Sequence, residues 1–589
     1  MSTANGKIAP NVGLQGGVEP SNVGTKEVLV GRALARLRLR STRRTKARVR
    51  IHRSEVFGRS IPGDLEKYTF LASLKSRNEN VFYALVGSHM KELCPLIYTP
   101  VIGEPLDCPD SPKAKKRGLL TIIPGGRPRM PELFPDPPSP DTNTKPARAL
   151  YLSAPDLPHL PEILANLKTR LPHDQMEIAV VTDGSRVLGL GDLGVGGMGI
   201  SMGKLSLYVA AGGVNPKATL PIVVDFGTDN EKLLGDPLYV GMRQRRMSDA
   251  DCEAWFEVFM KEMHQTFPNM IIQFEDFHTT LAFPLLEKHR ERYPCFNDDI
   301  QGTGSVILAG AIRAFAQNGI PLKEQRILFF GAGSSGVGVA ETISKHFELA
   351  GGMTEDEARN RFWLVDSKGL VANNRGDKLP THKQYLARRE EDAPKLKTLL
   401  EIVKHVRPTA LMGLSTLGGA FTREILEFMA HINAKPIVFA LSNPVALAEC
   451  TYEEAVEATN GTVLYASGSP FDPVQFEGKT YEPGQGNNMY IFPAVGLGAI
   501  LAQVKTIPEA IIHAAARALA DSLNADEKER RLLYPDVERI REVTIFIALR
   551  VIRAAQQAGV DRNEKLRGIT DLELNNYIRG SMYQAMLEL

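Results

Sequence analysis

The sequence predicts an α/β fold in more than one unit: two parallel-sheet domains between a helical N-terminal region and a helical C-terminus. Three observations lead there. The chain has 589 residues, too many for one hydrophobic core. From Glu177 onward, short β-rich runs alternate with helical stretches, the signature of parallel α/β layers. Helical spacing without strand signals dominates both Gly63–Leu93 and Ile507–Leu589. Composition agrees, with 43% hydrophobic and 23% charged residues excluding global disorder. The net charge of +2 argues against nucleic acid or an anionic membrane as the main partner. Five cysteines without CxxC spacing indicate neither a disulfide framework nor a thiolate zinc site. The apolar run Met489–Ala502 is too short to span a membrane.

In chain order, residues 1–26 are polar and Gly-rich and read as a tail. Val28–Ser54 holds nine arginines, one lysine and no acid. It reads as a solvated basic arm, with an organelle transit peptide as the alternative. Leu65, Tyr68, Leu71 and Leu74 mark a helical face. Pro105–Pro161 carries 14 of the 38 prolines, so loop or extended chain is expected, with an insertion at about 107–145. Strands are expected at Ile178–Val181, Leu220–Asp225, Met270–Phe274, Arg326–Phe330, Phe362–Asp366, Ile437–Ala440 and Val463–Tyr465. Six glycines within residues 189–199 predict an irregular substrate loop or a hairpin-like turn, followed by a helix over Lys204–Ala211. The expected units are 1–62 (variable basic arm), 63–297 (first α/β unit, with the insertion), 298–555 (second α/β unit) and 556–589 (helical tail).

The pattern GxGxxG occurs three times, and context separates them. Gly331-Gly333-Gly336 follows the apolar strand Arg326–Phe330 and opens an amphipathic helix. The next strand, Phe362–Asp366, ends in an acid. Strand, glycine turn, helix and acid-ended strand form a Rossmann-type unit, which binds a nicotinamide dinucleotide with its pyrophosphate at the helix N-terminus. Gly331, Gly333, Ser334, Ser335 and Gly336 are the expected phosphate-side contacts, and Asp366, Ser367 and Lys368 the ribose-side ones. A hydroxyl and an ammonium after Asp366 suit a 2′-phosphate, tilting the reading toward NADP over NAD.

Two acid pairs, Glu275-Asp276 and Asp298-Asp299, each follow an apolar run. Neighbouring side chains on a strand point to opposite faces, so such a pair converges only where the strand ends. Carboxylates without a nearby His/Cys set suit a hard ion, Mg²⁺ or Mn²⁺, although acid pairs are commonly solvated faces. Lys204 at the start of a helix is by default exposed. Beside a metal and an oxidised nicotinamide, its neutral amine becomes a proton acceptor. Tyr98 precedes a proline turn from which its phenol can reach a cleft.

Taken together, these motifs resemble the malic enzymes: Tyr98-Thr-Pro, Thr182–Asp192, Gly197–Lys204, Gln273–Phe277, Phe296–Thr303, Gly331-Ala-Gly333, Ala440–Pro444, Gly468–Pro473 and Pro483–Asn488. The resemblance runs from about Leu65 to Glu542. It implies oxidative decarboxylation of (S)-malate to pyruvate and CO₂ with reduction of NADP⁺ or NAD⁺. It further implies Glu275, Asp276 and Asp299 as ligands of Mn²⁺ or Mg²⁺, Lys204 as general base, Tyr98 as general acid and Asp298 as the residue that positions Lys204. Arg186 would clamp a malate carboxylate, and Asn443 and Asn488 would bind substrate and the nicotinamide side of the cofactor. A homo-oligomer, tetramer or dimer, is implied as well.

Two departures from the family pattern are the Arg-rich Leu34–Arg53 and the Pro-rich insertion. Rival readings are a malolactic enzyme, a dinucleotide-binding homologue without catalysis, and an RNA- or membrane-binding protein led by the basic arm. The expected compartment is cytoplasmic, with the mitochondrial matrix as the alternative.

Overall fold

A computed structural model describes residues 67–68, 71–72, 74–75, 79–97, 149–171, 176–187, 190–390 and 393–585. The basic arm, Tyr98 and the Pro-rich insertion lie outside the described residues.

Helices α1 (Glu79–Ser88) and α2 (Met90–Ile97) lead into a first sheet of β1 (Leu150–Ser153), β2 (Ile178–Thr182), β3 (Thr219–Asp225), β4 (Ile271–Phe274) and β5 (Cys295–Asn297). Its order is β1-β3-β2-β4-β5, and every pairing is parallel. β2 and β3 are buried at every position, as expected of strands covered on both faces. Helices α3 (Leu160–Arg170), α5 (Asp249–Thr266) and α6 (Thr279–His289) cover one face, and α4 (Met198–Ala210) lies against the other.

Helix α7 (Thr303–Asn318) leads into the second sheet. This sheet contains β6 (Ile327–Phe330), β7 (Phe362–Asp366), β8 (Gly369–Leu370), β9 (Ala410–Gly413), β10 (Ile437–Ala440) and β11 (Leu464–Ser467). After a hairpin of β12 (Val474–Phe476) and β13 (Lys479–Tyr481), β14 (Gly484–Gln485) completes the order β14-β11-β10-β9-β6-β7-β8. Only β8 runs antiparallel to its neighbour in this sheet. The chain starts at β6 and winds out both ways, so the order reverses between β6 and β9. In doubly wound sheets that switch point opens the ligand crevice at the strands' C-terminal ends. α8 (Ser334–Gly351) follows β6, while α9 (Leu399–Val406) and α10 (Arg423–Ile432) cover the opposite face.

The C-terminal helices are α11 (Phe492–Ala502), α12 (Glu509–Asp521), α13 (Ile540–Gln557) and α14 (Asp571–Ser581). Leu574 and Ile578 of α14 are fully buried in the apolar cluster that also contains α4, α7 and α8 residues. Met582 packs so closely on Gly213 that a Cβ there would lie 2.6 Å from it. The C-terminal helical segment thus packs into the core.

One expected boundary moves. α4 begins at Met198, not Lys204, and contains Gly199 and Gly203. Each helical glycine costs about 1 kcal/mol, but Met198, Ile200, Leu205 and Leu207 are all buried. Burial of each such side chain contributes about 1.5–3 kcal/mol, enough to carry the helix back through the glycines. Just upstream, Val187 and Gly191 exchange both backbone hydrogen bonds at 2.8 and 2.9 Å.

Candidate active site

Glu275 extends the β4 ladder by one residue, its amide donating to the Val181 carbonyl at 2.9 Å. Asp276 then takes a left-handed conformation, φ 57°, uncommon for a residue with a Cβ. The turn breaks strand alternation, so both carboxylates face the same space. From the helical turn Asp298–Gly302 that follows β5, Asp299 joins them and accepts a hydrogen bond from the Asp276 amide at 2.8 Å. Glu275, Asp276 and Asp299 each offer one oxygen within 4.8 Å of the others.

Lys204 enters from the middle of α4. Its Nζ lies 2.7 Å from Glu275 Oε1 and 2.7 Å from Asp298 Oδ2, and 4.5 Å from the centroid of the Phe492 ring. The residue is 1% exposed, which corrects the default expectation of an exposed lysine at a helix start. Asp298 is wholly buried, and the oxygen that meets Lys204 also accepts from Asn488, whose Nδ2 donates to Asp298 Oδ2 at 3.0 Å and to Thr303 Oγ1 at 3.0 Å. A Cβ at Gly302 would lie 1.8 Å from Asp298 Oδ1, so this glycine makes room for the carboxylate.

Four carboxylates around one lysine leave excess negative charge. Burial, aided by Asp299 and Asp298, pushes the Glu275 pKa up to about 8 against the pull of Lys204. Burial also raises Asp299. Such a group of buried oxygens is relieved by a hard divalent cation. Ligand oxygens about 2.1 Å from an octahedral ion stand about 3 to 4.2 Å apart, a spacing this trio reaches with little movement. The donor set therefore fits Mg²⁺ or Mn²⁺. Glu275 Oε2 also accepts from Gln273 Nε2 at 2.7 Å, and Gln273 in turn accepts from the Tyr208 hydroxyl.

Arg186 is exposed at the rim, its amide bonded to the Asp276 carbonyl at 3.1 Å and its guanidinium donating to Thr279. Behind it runs a network that the sequence did not advertise. Arg246 donates to Asp192 Oδ1 at 2.7 Å, to Asp192 Oδ2 at 3.0 Å and to Asp183 Oδ2 at 3.3 Å. Asp183 accepts from the Ser185 hydroxyl at 2.6 Å, and that hydroxyl accepts from the His278 amide at 2.7 Å. One guanidinium thus ties the glycine loop to the carboxylate turn.

In the second sheet, Gly331 follows β6 with φ 112°, and a Cβ on it would lie 2.3 Å from the Leu414 carbonyl. Gly336, in the first turn of α8, would strike the Gly331 carbonyl at 2.0 Å. Gly333 is the N-cap of α8, Ser334 and Ser335 begin it, and open space surrounds the place of a Gly333 Cβ. This is the close backbone approach that a pyrophosphate at a helix N-terminus requires.

At the end of β7 the arrangement is richer than expected. Asp366 accepts from Arg375 Nη1 and Nη2, at 2.7 and 3.1 Å, and from Lys383 Nζ at 2.8 Å, while Arg375 Nε donates to Asp377 at 2.7 Å. Although burial works the other way, these cations and the Lys368 amide hold its pKa down to about 2. The Lys368 side chain pairs instead with Asp377 at 2.9 Å, and Ser367 is exposed. Asn443, exposed after β10, accepts from the Ser469 hydroxyl at 2.7 Å. Arg246, Arg375 and Lys383 carry no sequence motif, and only their positions in space reveal them.

Comparison with known proteins follows the same division. A family model described as the malic enzyme N-terminal domain matches residues 140–290, and one described as the malic enzyme NAD binding domain matches residues 300–556. The chain is 43% identical over 497 residues to an NADP-dependent malic enzyme of Dictyostelium discoideum, covering 84% of this chain and 85% of that one. It is 40% identical over 533 residues to the mitochondrial NAD-dependent malic enzyme of Ascaris suum, covering 90% and 76%. The solved malic enzyme of Entamoeba histolytica aligns with a TM-score of 0.54 at 26% identity, over 73% of this chain and 79% of that one. That of Pyrococcus horikoshii shares the fold, with a TM-score of 0.52 at 23% identity, over 73% and 87%.

Proposed function

The chain belongs to the malic enzyme family, and we propose that its buried carboxylate–lysine cluster carries out the oxidative decarboxylation of malate. It is an NAD(P)-dependent, decarboxylating oxidoreductase. The observation that carries the site assignment is the position of Lys204 Nζ, 2.7 Å from both Glu275 and Asp298 at the edge of the three-carboxylate cluster.

Glu275, Asp276 and Asp299 would hold Mn²⁺ or Mg²⁺, which supplies a Lewis acid for the substrate oxygens. The nicotinamide supplies the hydride acceptor for C2 of malate. Lys204 takes the C2 hydroxyl proton as the hydride leaves, which makes the 2-oxo acid. With Glu275 committed to the cation, Lys204 would keep only Asp298 as its carboxylate partner, and the positive charges of the cation and the oxidised nicotinamide beside it would oppose the ammonium and favour the neutral, proton-accepting amine. The C3–C4 bond then breaks, CO₂ departs, and its electron pair moves to the C2 oxygen as an enolate. Tyr98 is assigned the proton that returns to C3, completing pyruvate. Arg186 at the rim suits the planar, two-point recognition of a malate carboxylate. Asn488 steadies Asp298 and so Lys204, and Asn443 lines the nicotinamide side.

For the cofactor, the finer reading is NADP. Asp366 is already neutralised by Arg375 and Lys383, so its charge does not oppose a 2′-phosphate, and Lys383 adds a cation that Ser367 and Lys368 alone do not provide. No helix among the described residues is long and apolar enough to cross a membrane. A homo-oligomer, tetramer or dimer, belongs to the same proposal and is checked by mass in solution.

The test is reduced-nicotinamide absorbance with (S)-malate and Mn²⁺, run with NADP⁺ and NAD⁺ in parallel and with pyruvate quantified. Matching pyruvate and reduced cofactor, faster with NADP⁺, is the expected result. Lactate without accumulated reduced cofactor would replace this reading with the malolactic one.

A further inference from the structure

Four arginines crowd the edge of the second sheet that faces away from the dinucleotide loop. β9, β6 and β7 are parallel neighbours, so the residues that precede them lie side by side. Arg326 precedes β6, Arg361 precedes β7, and Arg407 ends α9 just ahead of β9. Backbone bonds tie them together: the Ile327 amide donates to the Arg361 carbonyl at 2.9 Å, and the Thr409 amide to the Arg326 carbonyl at 2.8 Å. Arg388 arrives from the segment after β8 and donates to the Asn360 and Phe362 carbonyls at 3.2 and 3.4 Å.

Strand alternation puts Arg326, Arg361 and Trp363 on the same face as Leu328 and Val365, the face covered by α9 and α10. The Trp363 ring centroid lies 5.1 Å from the Arg326 Cζ and 4.7 Å from the Arg388 Cζ. Arg407 Cζ stands 5.9 Å from the Phe428 centroid on α10. The side chains thus share one patch at the sheet's rim.

These charges are poorly compensated. Among the described residues, Arg388 pairs with Glu390, whereas no ion pair is formed by Arg326, Arg361 or Arg407. Glu357 feels the field of Arg361 but is engaged in capping its own helix turn. The Nε atoms of Arg326 and Arg361 are buried without a hydrogen-bond partner among the described residues. Burial and the three neighbouring guanidiniums lower the pKa of Arg326. Like charges held together at this cost are relieved by an anion that bridges them.

We propose that Arg326, Arg361, Arg388 and Arg407 form a binding site for a small phosphoanion of the pyrophosphate type, separate from the catalytic cleft. Four guanidiniums with one paired carboxylate leave about three positive charges among the described residues, matching two linked phosphates with their several acceptor oxygens. Guanidinium forks suit that geometry better than ammonium groups do. The glycine loop lies at the other end of β6, five residues from Arg326 and so about 16 Å away at about 3.3 Å per strand residue, so one anion cannot serve both places.

The experiment titrates inorganic pyrophosphate into the full chain by calorimetry, without divalent metal and with the dinucleotide at saturation so that the glycine loop is filled. One pyrophosphate per chain is expected, bound more weakly as salt rises. The Arg361→Gln/Arg407→Gln variant should bind at least about tenfold more weakly while turning over malate at the wild-type rate. Arg407→Glu, at an exposed position, should weaken binding in the same direction without touching the core. Absence of binding by the dinucleotide-saturated wild type, or undiminished binding by both variants, overturns the proposal.

Discussion

In the proposed mechanism Lys204 is the central residue, because it touches both Glu275 and Asp298. Its two carboxylate partners come from β4 and from the start of the turn after β5, and Phe492 closes the third side. Replacing it by Met keeps the volume and removes the proton acceptor. The expected loss in kcat is about 10²–10⁴-fold, with dinucleotide binding intact, as measured by steady-state rates and fluorescence titration. Lys383→Gln tests the cofactor reading at the same scale. Loss of one charge-assisted contact should raise KM for NADP⁺ roughly tenfold and leave KM for NAD⁺ nearly unchanged. Equal effects on both cofactors would sink the assignment. The residue types of the site were legible in the sequence, since the acid pairs, Lys204 and Asn488 all stand in recognisable motifs. The partners of Asp366 were not, because Arg375 and Lys383 lie 9 and 17 residues away with no patterned spacing.

Elements place these residues through a few buried polar ties. Glu449, wholly buried after β10, accepts from the Ser415 amide at 2.9 Å and hydroxyl at 2.8 Å, and from the Ser442 hydroxyl at 2.6 Å. It joins the loops after β9 and β10, which form one wall of the dinucleotide crevice. Glu449→Ala leaves those donors unpaired, at about 1–3 kcal/mol for each buried group. The variant should show a higher KM for dinucleotide and a lower Tm, with Mn²⁺ affinity retained. Gly331→Ala is expected to be worse for the same crevice. Its φ is 112° and the new methyl would meet the Leu414 carbonyl at 2.3 Å, so dinucleotide binding should be lost in an equilibrium titration. Strand positions and the strand–glycine–helix unit were legible from hydrophobic runs. The start of α4 was not, since glycines read locally as loop, and only packing against the first sheet makes them helical.

At the scale of the whole molecule, one continuous apolar cluster runs from Leu71 to Met582 and joins both sheets to the C-terminal helices. Buried histidines make its stability depend on pH. Burial lowers His289 and His346 to about 4, below the ordinary value near 6.5. Between those values the unfolded chain binds more protons than the folded one. Stability from these groups is therefore fully present above about pH 6.5 and lost as pH falls toward about 4. His289 is fully buried, with neither ring nitrogen hydrogen-bonded among the described residues. His289→Leu should thus gain in Tm relative to wild type on going from pH 8 to pH 5, which a thermal scan at the two pH values reads directly. A parallel decline of both proteins would refute the role of this ring.

What the sequence determined by itself is local: which runs become strands, where a helix must follow a glycine turn, and which residue types stand ready for metal, proton and phosphate. Those features depend on neighbours within one or two turns of chain, where hydrophobic period and backbone sterics act. Tertiary structure alone decided that Lys204 meets Asp298 across 94 positions, that Asn488 meets Asp298 across 190, and that four arginines share one rim. Strand order and helix packing bring such residues together through the burial of apolar faces. That burial is collective and non-directional, so it leaves no local pattern from which the meeting can be read.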